Sequence, residues 1–172
     1  MPWISRSGLL RNWPSKSPTE TSALARALAI ALLQVGDGKG WVVSLNGPLG
    51  AGKTHFAKAL AEGLGIDPAR VSSPTFVIAN EYEAAREFRL VHADWYRVES
   101  EDELMASGLH DWLAPGVGLV VEWGDRFPEA LPEDRLEVEL RPGEAIEDRQ
   151  VCVTAAGPVS RAALERWSAA CP

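Results

Sequence analysis

The residues best suited to chemistry in this sequence are the eight at positions 47–54, which match the spacing G-x-x-x-x-G-K-[ST] throughout. Glycines allow consecutive backbone N–H groups to curl around an anion without Cβ clashes. The lysine of this pattern can reach the β- and γ-phosphates of a nucleotide, and the hydroxyl after it can bind Mg²⁺. The pattern therefore predicts a nucleotide-binding loop formed by Gly47, Pro48, Leu49, Gly50, Ala51, Gly52, Lys53 and Thr54.

The segments on either side of this loop fit the same chemistry. Residues 41–45 are a short β-rich run, which predicts a buried strand that leads into the loop. A helix is expected to begin near Lys53, because Phe56, Leu60 and Leu64 recur on one helical face. The positive end of that helix dipole would then point at the bound phosphates.

Two carboxylates at predicted strand ends are candidates for the rest of the site. Asp94 follows the apolar run 90–93, and Glu122 follows the run 119–121. Sheets of α/β proteins place ligand-binding groups at the carboxyl ends of their strands, and a phosphate loop needs a carboxylate for Mg²⁺ and a group that orients the nucleophile. Either carboxylate is also compatible with a solvated strand end. Their neighbours are interpreted as structural residues rather than catalysts, His92 as a core residue and Trp123 as a core or pocket-wall residue.

The remaining elements are predicted from apolar spacing, capping residues and turn residues. Together they predict an α/β fold, a P-loop NTPase three-layer αβα sandwich with a mixed, mostly parallel central sheet. Residues 1–16 are expected to be a loose extension or an edge strand, and residues 17–172 a single domain that contains the phosphate loop. Further strands are expected at 75–82, 88–94, 117–122, 136–140 and 151–153, and helices are expected to open at Ser17, after Ser100 and at Pro158.

Composition and charge limit the possible functions. The 172 residues are 46% hydrophobic and carry a net charge of −7, which argues against nucleic-acid binding by general electrostatics. The charge is uneven, since residues 99–150 carry 15 acidic and 4 basic side chains, whereas residues 1–98 carry 8 acidic and 11 basic. This acidic segment is either a solvated surface or a surface for a partner. With two cysteines, no apolar leader and no stretch that could span a bilayer, a cytoplasmic location is expected.

Five segments, taken in order and spacing, resemble one family. They are LNGPLGAGKT at 45–54, VSSPTFVIANEY at 71–82, VHADWYRVESEDEL at 91–104, SGLHDWL at 107–113 and VVEW at 120–123. The sequence resembles the TsaE family, bacterial P-loop ATPases needed to make N6-threonylcarbamoyladenosine in tRNA. The likeness extends over about residues 17–141, and the segments after the phosphate loop make it specific.

The resemblance implies a role for each matching residue. ATP would bind the loop at 47–54, Mg²⁺ would bind Thr54 and Glu122, and Asp94 would support hydrolysis near the γ-phosphate. Ser73, Pro74 and Thr75 would form a segment that senses the nucleotide, and the start of the first helix, near Thr19 and Glu20, would border the adenine. The implied catalytic residues are Lys53, Thr75, Asp94 and Glu122, and Trp123 would join the loop in binding the nucleotide.

The resemblance also implies partners and shows departures from the family pattern. TsaB-like and TsaD-like proteins would carry out the transfer onto adenosine 37 of tRNA, so this chain would meet tRNA only indirectly. Pro48 stands where the family usually has an acidic residue, and it removes one backbone N–H from the loop. Ala93 and Trp95 replace the common Phe and Leu, as packing substitutions.

Two other functions are compatible with a phosphate loop. A small-molecule or nucleotide kinase would need a lid with several arginines, and those after Glu122 are scattered through an acidic segment. A non-hydrolysing nucleotide switch is disfavoured by the intact set of Lys53, Thr54, Asp94 and Glu122. The scattered arginines are Arg126, Arg135, Arg141 and Arg149, whereas Arg86, Arg89 and Arg97 are either surface charges or candidates for stabilising charge at the phosphates.

Overall fold

The computed structural model of the protein describes residues 8–36, 38–74, 76–84 and 88–171, so Thr75 and Arg86 lie outside the described residues. In these ranges the chain forms seven strands and five α-helices. The strands are β1 (Leu9–Ser15), β2 (Trp41–Asn46), β3 (Ala79–Glu83), β4 (Arg89–Asp94), β5 (Val117–Glu122), β6 (Leu136–Pro142) and β7 (Arg149–Ala155). The helices are α1 (Pro18–Gly36), α2 (Lys53–Gly63), α3 (Glu101–Ala106), α4 (Leu109–Trp112) and α5 (Pro158–Ala170).

All seven described strands form one sheet in the order β1-β7-β6-β2-β5-β4-β3. Neighbours within the central set β6, β2, β5 and β4 pair in parallel. The pairs β1–β7, β7–β6 and β4–β3 are antiparallel, so among the described strands only β7 and β3 run against the other five. The predicted mixed, mostly parallel sheet is thus confirmed, with the parallel strands around the phosphate loop.

Helices cover both faces of the sheet and make three layers. On one face α1, α2 and α5 pack a core that includes Leu28, Phe56 and Trp167. On the other face the short helices α3 and α4 cover a second core that includes Trp95 and Trp112. Because both faces are covered, every residue of β2 and β5 is buried, which explains why these strands are almost continuously apolar in sequence.

Two predicted helix starts are confirmed by their capping hydrogen bonds. The Ser17 hydroxyl accepts the backbone N–H of Glu20 at 3.2 Å, and α1 begins directly after it. The Ser100 hydroxyl accepts the backbone N–H of Glu103 at the same distance, and α3 begins at the next residue. These bonds satisfy amides that the first helical turn leaves without partners.

One strand is shorter than the sequence predicts. The pattern predicts an extended run over 75–82, but β3 begins only at Ala79. Its partner β4 ends at Asp94, whose N–H donates to the Ile78 carbonyl, so residues before Ile78 have no strand beside them. Phe76 is consequently exposed at the edge of the sheet. Among the described residues, no helix is both long enough and apolar enough to cross a membrane.

Candidate functional site

The phosphate loop connects the buried end of β2 to the start of α2. Gly47 and Gly52 adopt φ angles of 132° and 103°, which side-chain-bearing residues rarely adopt. A Cβ at Gly47 would also collide with the carbonyl oxygen of Leu140 on β6. The N–H of Ala51 donates to the Pro48 carbonyl at 3.1 Å and closes a turn inside the loop. Glycine is therefore required at Gly47 both by backbone conformation and by the neighbouring strand.

The start of α2 offers free backbone donors. In the part of the chain that the structure describes, the N–H groups of Gly52, Lys53 and Thr54 have no hydrogen-bond acceptor. The first N–H groups of a helix lack partners within the helix, and they lie at the positive end of its dipole. This turn is therefore suited to bind an anion such as a nucleotide phosphate.

The ammonium group of Lys53 lies inside the loop. Nζ donates to the carbonyls of Gly47 at 2.7 Å and Pro48 at 2.8 Å. It also lies 3.7 Å from the centre of the Trp123 ring, a cation–π contact. Burial lowers the pKa of Lys53, although nearby carboxylates, Glu122 foremost, oppose that shift. The ammonium thus donates to two neutral carbonyl oxygens, which the oxygens of a phosphate could replace as acceptors.

Glu122, the last residue of β5, is held from two sides. The Thr54 hydroxyl donates to its Oε2 at 2.9 Å, and Nε2 of His92 lies 2.8 Å from its Oε1. The carboxylate is deeply buried, since Glu122 is 3% exposed and His92 is 1% exposed. His92 belongs to β4, the strand next to β5, so the sheet itself places the imidazole against the carboxylate. The contacts fix the orientation of both carboxylate oxygens.

The side-chain oxygens of Thr54 and Glu122 are suitable ligands for a magnesium ion. A hydroxyl and a carboxylate are hard oxygen ligands of the kind Mg²⁺ prefers, and Mg²⁺ usually takes one or two carboxylates together with phosphates and waters. Within the described residues, no group of three or more His, Cys, Asp or Glu side chains could hold a metal ion. A Mg²⁺ ion bound here would complete its coordination with phosphate oxygens and water.

Asp94, the last residue of β4, lies beside Glu122 in the register of the sheet. Its Oδ1 accepts the backbone N–H of Tyr96 at 2.9 Å. Burial raises the pKa of Asp94, with Glu122 adding to the shift, while the Tyr96 N–H, His92 and Lys53 oppose it. Asp94 also lines a cavity of about 250 Å³ bordered by Phe76, Tyr96 and Arg97. The carboxylate is therefore close to the buried site and open to a cavity.

Trp123 connects this carboxylate region to the phosphate loop. It is the one non-glycine residue with a positive φ (61°) among the described residues. Its backbone N–H donates to the Leu45 carbonyl at 2.9 Å. Its ring lies between the Lys53 ammonium and the Tyr96 ring, whose centroid is 5.0 Å from that of Trp123. A strained backbone at such a position costs about 1–3 kcal/mol and is typical of functional sites.

Comparison with known proteins identifies the family to which this site belongs. The family model described as "Threonylcarbamoyl adenosine biosynthesis protein TsaE" matches residues 15–151. The chain belongs to the TsaE family. A tRNA threonylcarbamoyladenosine biosynthesis protein TsaE from Bacillus subtilis is 40% identical over 146 residues, which cover 84% of this chain and 85% of that protein. The protein of the same name from Streptomyces coelicolor is 43% identical over 154 residues, or 86% of this chain and 93% of that protein.

A solved structure agrees with this assignment. The crystal structure of YdiB from Bacillus subtilis superposes with a TM-score of 0.78 and 31% sequence identity. The match covers 96% of this chain and 99% of that one, so the whole fold is shared. The TsaE resemblance that rests on five sequence segments is thereby confirmed, and so is the P-loop NTPase fold class.

Not every residue singled out in the sequence is placed at the TsaE-family site. Thr75 and Arg86 lie outside the described residues. Arg89 pairs with Glu81 at 2.9 Å and lies at the opposite end of β4 from Asp94, so it does not reach the phosphate loop. Arg97 borders the cavity beside Asp94 and remains a candidate for contact with a phosphate.

Two polar residues of the site escaped sequence reasoning. The Asn46 side-chain oxygen accepts the Ser44 hydroxyl at 3.1 Å and the Asp125 N–H at 3.2 Å, which joins the end of β2 to the turn after β5. Burial raises the pKa of Asp125, and Lys53 opposes that shift. Asn46 could have been found from the sequence, because it directly precedes the loop. Nothing in the sequence distinguishes Asp125 from the other acidic residues of segment 99–150.

Proposed function

We propose that this chain binds ATP with Mg²⁺ and hydrolyses it during formation of threonylcarbamoyladenosine in tRNA. The observation that carries the proposal is the 2.9 Å hydrogen bond between Thr54 and Glu122, next to loop amides that have no acceptor among the described residues. A hydroxyl from the loop and a carboxylate from a neighbouring strand form the usual Mg²⁺-binding pair of P-loop NTPases. Relatives that carry the TsaE name support the tRNA assignment.

The loop residues would bind the triphosphate of ATP. The amides of Gly52 and Lys53 would donate to phosphate oxygens, and the Lys53 ammonium would exchange its carbonyl partners for the β- and γ-phosphates. Thr54 and Glu122 would hold Mg²⁺, which neutralises charge on the β- and γ-phosphate oxygens when bound. Pro48 contributes no amide, but its carbonyl accepts both Lys53 Nζ and the Ala51 N–H.

Asp94 is proposed to orient the attacking water. Its Oδ1 is held by the Tyr96 N–H, while Oδ2 accepts no hydrogen bond from the described residues. The raised pKa of Asp94 brings the carboxylate closer to a value at which it can accept a proton from water. Thr75 is proposed as the polar residue of a nucleotide-sensing segment, supported by Pro74 and Phe76, which border the same cavity as Asp94.

Partners and location follow from the family and the charge. We propose that TsaB-like and TsaD-like proteins bind this chain and carry out the transfer, and that tRNA is met only indirectly. The net charge of −7 supports this division, because RNA binding needs clustered positive charge. A cytoplasmic location is proposed because two cysteines without a disulfide framework fit a reducing compartment. Residues 17–172 are proposed as a single ATPase domain, with β1 added at the sheet edge.

A kinase activity has less support. The four arginines of the acidic segment after Glu122, which could have formed a lid, all bind acceptors within the protein. Arg135 and Arg141 pair with Glu137 and Glu139, at 2.7 and 2.6 Å. Arg126 donates to the carbonyls of Tyr96 and Val98, and Arg149 to those of the phosphate loop and its own turn. Side chains engaged in this way are poorly placed to close over a second substrate.

The proposed function can be tested in two assays. Purified chain with labelled ATP and Mg²⁺ should release inorganic phosphate, with faster release when TsaB- and TsaD-like proteins are added. In a strain that lacks this protein and any paralogue, mass spectrometry should show tRNA without the threonylcarbamoyl group. Normal modification in that strain would refute the tRNA role, and a phosphorylated small molecule as the main labelled product would favour a kinase.

A further inference from the structure

Arg149, the first residue of β7, reaches the phosphate loop from a distant part of the sequence. Its Nε donates to the Ala51 carbonyl at 2.7 Å, and its Nη2 donates to the Gly50 carbonyl at 3.4 Å. The strand order places β7 two strands away from β2, so this contact arises from the antiparallel β6–β7 pair beside the loop. A side chain from outside the loop motif thus holds two of the motif's carbonyl groups.

The guanidinium group of Arg149 is itself fixed in position. Its Nη1 donates to the carbonyls of Ile146 at 2.9 Å and Asp148 at 2.7 Å, in the turn between β6 and β7. The carboxylate of Asp148 pairs with Lys16 at 2.7 Å, which ties this turn to the residues before α1. Since the guanidinium is planar and its donors form a rigid fork, four bonds leave it little freedom.

The contact determines which way one peptide group of the loop faces. In a planar trans peptide the C=O and the following N–H point in opposite directions, and no cis peptide occurs among the described residues. Because the Ala51 carbonyl points at Arg149, the Gly52 N–H must point away from it. That N–H has no acceptor in the described part of the chain. The peptide is thus held with its free donor directed away from the arginine.

We propose that Arg149 is a positioning residue for nucleotide binding, which keeps the Gly52 amide directed at the phosphates by holding the Ala51 carbonyl. Because Gly52 follows this peptide, the peptide can rotate more freely than one between two residues with side chains, and a flipped peptide would present its carbonyl oxygen to the phosphates. The positive guanidinium also polarises the Ala51 carbonyl, which strengthens the Gly52 N–H as a donor. The inference rests on the proposed nucleotide-binding function and assigns Arg149 no contact with the nucleotide.

The test is a calorimetric titration of ADP, and separately of inorganic pyrophosphate, into full-length variants. Arg149→Gln should weaken binding of both ligands by about tenfold. This is the size expected when the hydrogen bond from the Gly52 amide to a charged phosphate is lost. Arg149→Lys should recover only part of this loss, because an ammonium keeps the charge but lacks the fork. The matched control is Arg141→Gln, which removes the same charge from β6, where Arg141 pairs only with Glu139 among the described contacts.

Each outcome decides the proposal. Unchanged affinity in Arg149→Gln, or full recovery in Arg149→Lys, would overturn the positioning role. A loss for ADP without a matching loss for pyrophosphate would also overturn it, because the role is confined to phosphate-binding amides. If Arg149→Gln does not fold in a thermal melt, Arg149→Lys alone decides by its expected partial loss. Failure of the wild-type chain to bind ADP would instead refute the nucleotide-binding function itself.

Discussion

Thr54 donates its hydroxyl hydrogen to Oε2 of Glu122 across 2.9 Å, which joins the first turn of α2 to the last residue of β5. The two residues are 68 positions apart, and parallel pairing of β2 with β5 brings them together. His92 contacts the other carboxylate oxygen, so both oxygens of Glu122 are held by neighbouring side chains. The sheet thus brings a hydroxyl of the loop and a carboxylate of a distant strand together, as the proposed Mg²⁺ site requires.

Glu122→Gln should separate metal binding from nucleotide binding. Glutamine keeps an oxygen for the Thr54 hydroxyl but loses the negative charge that Mg²⁺ requires. ADP affinity without Mg²⁺ should change less than about threefold, while the gain in affinity on adding Mg²⁺ should disappear and ATP turnover should fall by about 100-fold or more. Titrations with and without Mg²⁺ measure this, with Glu139→Gln on β6 as the control; a retained Mg²⁺ effect would exclude Glu122 as a ligand.

Asp94→Asn should slow hydrolysis and stabilise the fold. Loss of a group that orients water lowers turnover by about 10²–10⁴-fold, with ATP affinity nearly unchanged. Since burial raises the pKa of folded Asp94, the folded state loses stability as the pH rises from below the unfolded pKa to above the folded one. An asparagine side chain would avoid that loss and still accept the Tyr96 N–H. The variant should therefore unfold at higher temperature than wild type at about pH 7, and the difference should vanish near pH 3.

Exposed Asp111 supplies the control for this comparison. Asp111→Asn removes a carboxylate from α4, away from the described site, and should leave turnover unchanged. Full turnover by Asp94→Asn would remove Asp94 from the catalytic residues. A lower melting temperature than wild type at neutral pH would contradict the argument from burial.

Lys53→Ala should abolish measurable nucleotide binding. The Lys53 ammonium donates to the Gly47 and Pro48 carbonyls of the phosphate loop, where a phosphate oxygen could take their place. Charge-assisted bonds to two phosphates are each worth about 1.5–3 kcal/mol, so affinity should fall by roughly 100-fold or more. Lys58→Ala on the same helix is the control and should bind ADP normally. Equal ADP affinity in the two variants would show that the amides alone bind the phosphates.

Trp123 should report nucleotide binding through its fluorescence. Lys53 Nζ lies 3.7 Å from its ring in the present structure, and phosphate binding would draw the ammonium away. Addition of ADP should therefore change tryptophan emission in wild type, and Trp123→Phe should lose most of that change. The ADP affinity of Trp123→Phe, measured by calorimetry, should stay within about threefold of wild type, since Phe still offers a weaker cation–π face. An equal emission change in Trp123→Phe would assign the signal to another of the seven tryptophans.

Gly47→Ala should destabilise the protein much more than an alanine at an open glycine. Its Cβ would meet the Leu140 carbonyl, and the φ of 132° is unfavourable for alanine. The cost should be on the order of 3 kcal/mol or more, against about 1 kcal/mol at Gly65, where φ is 83° and nothing lies within 4 Å. Urea unfolding of Gly47→Ala and Gly65→Ala measures both costs. Equal losses of unfolding free energy in the two variants would mean that β6 shifts to make room for the added methyl group.

Much of the fold was predictable because it depends on local patterns. The caps at Ser17 and Ser100 and the alternation in β6 and β7 each specify an element within a few residues. The start of β3 was not predictable in this way, since Val77 and Ile78 are good strand residues. It depends on where β4 ends, and only the paired sheet determines that.

For the site, the sequence by itself determined the phosphate loop and its Lys53 and Thr54, because anion binding by consecutive amides requires a fixed local spacing. It also marked Asp94 and Glu122 as strand ends. Only the tertiary structure decided that His92 and Thr54 grip opposite oxygens of Glu122, and that Arg149 reaches Ala51. Those contacts join residues 30 to 98 positions apart. They depend on strand order and register, which no local spacing in the chain specifies.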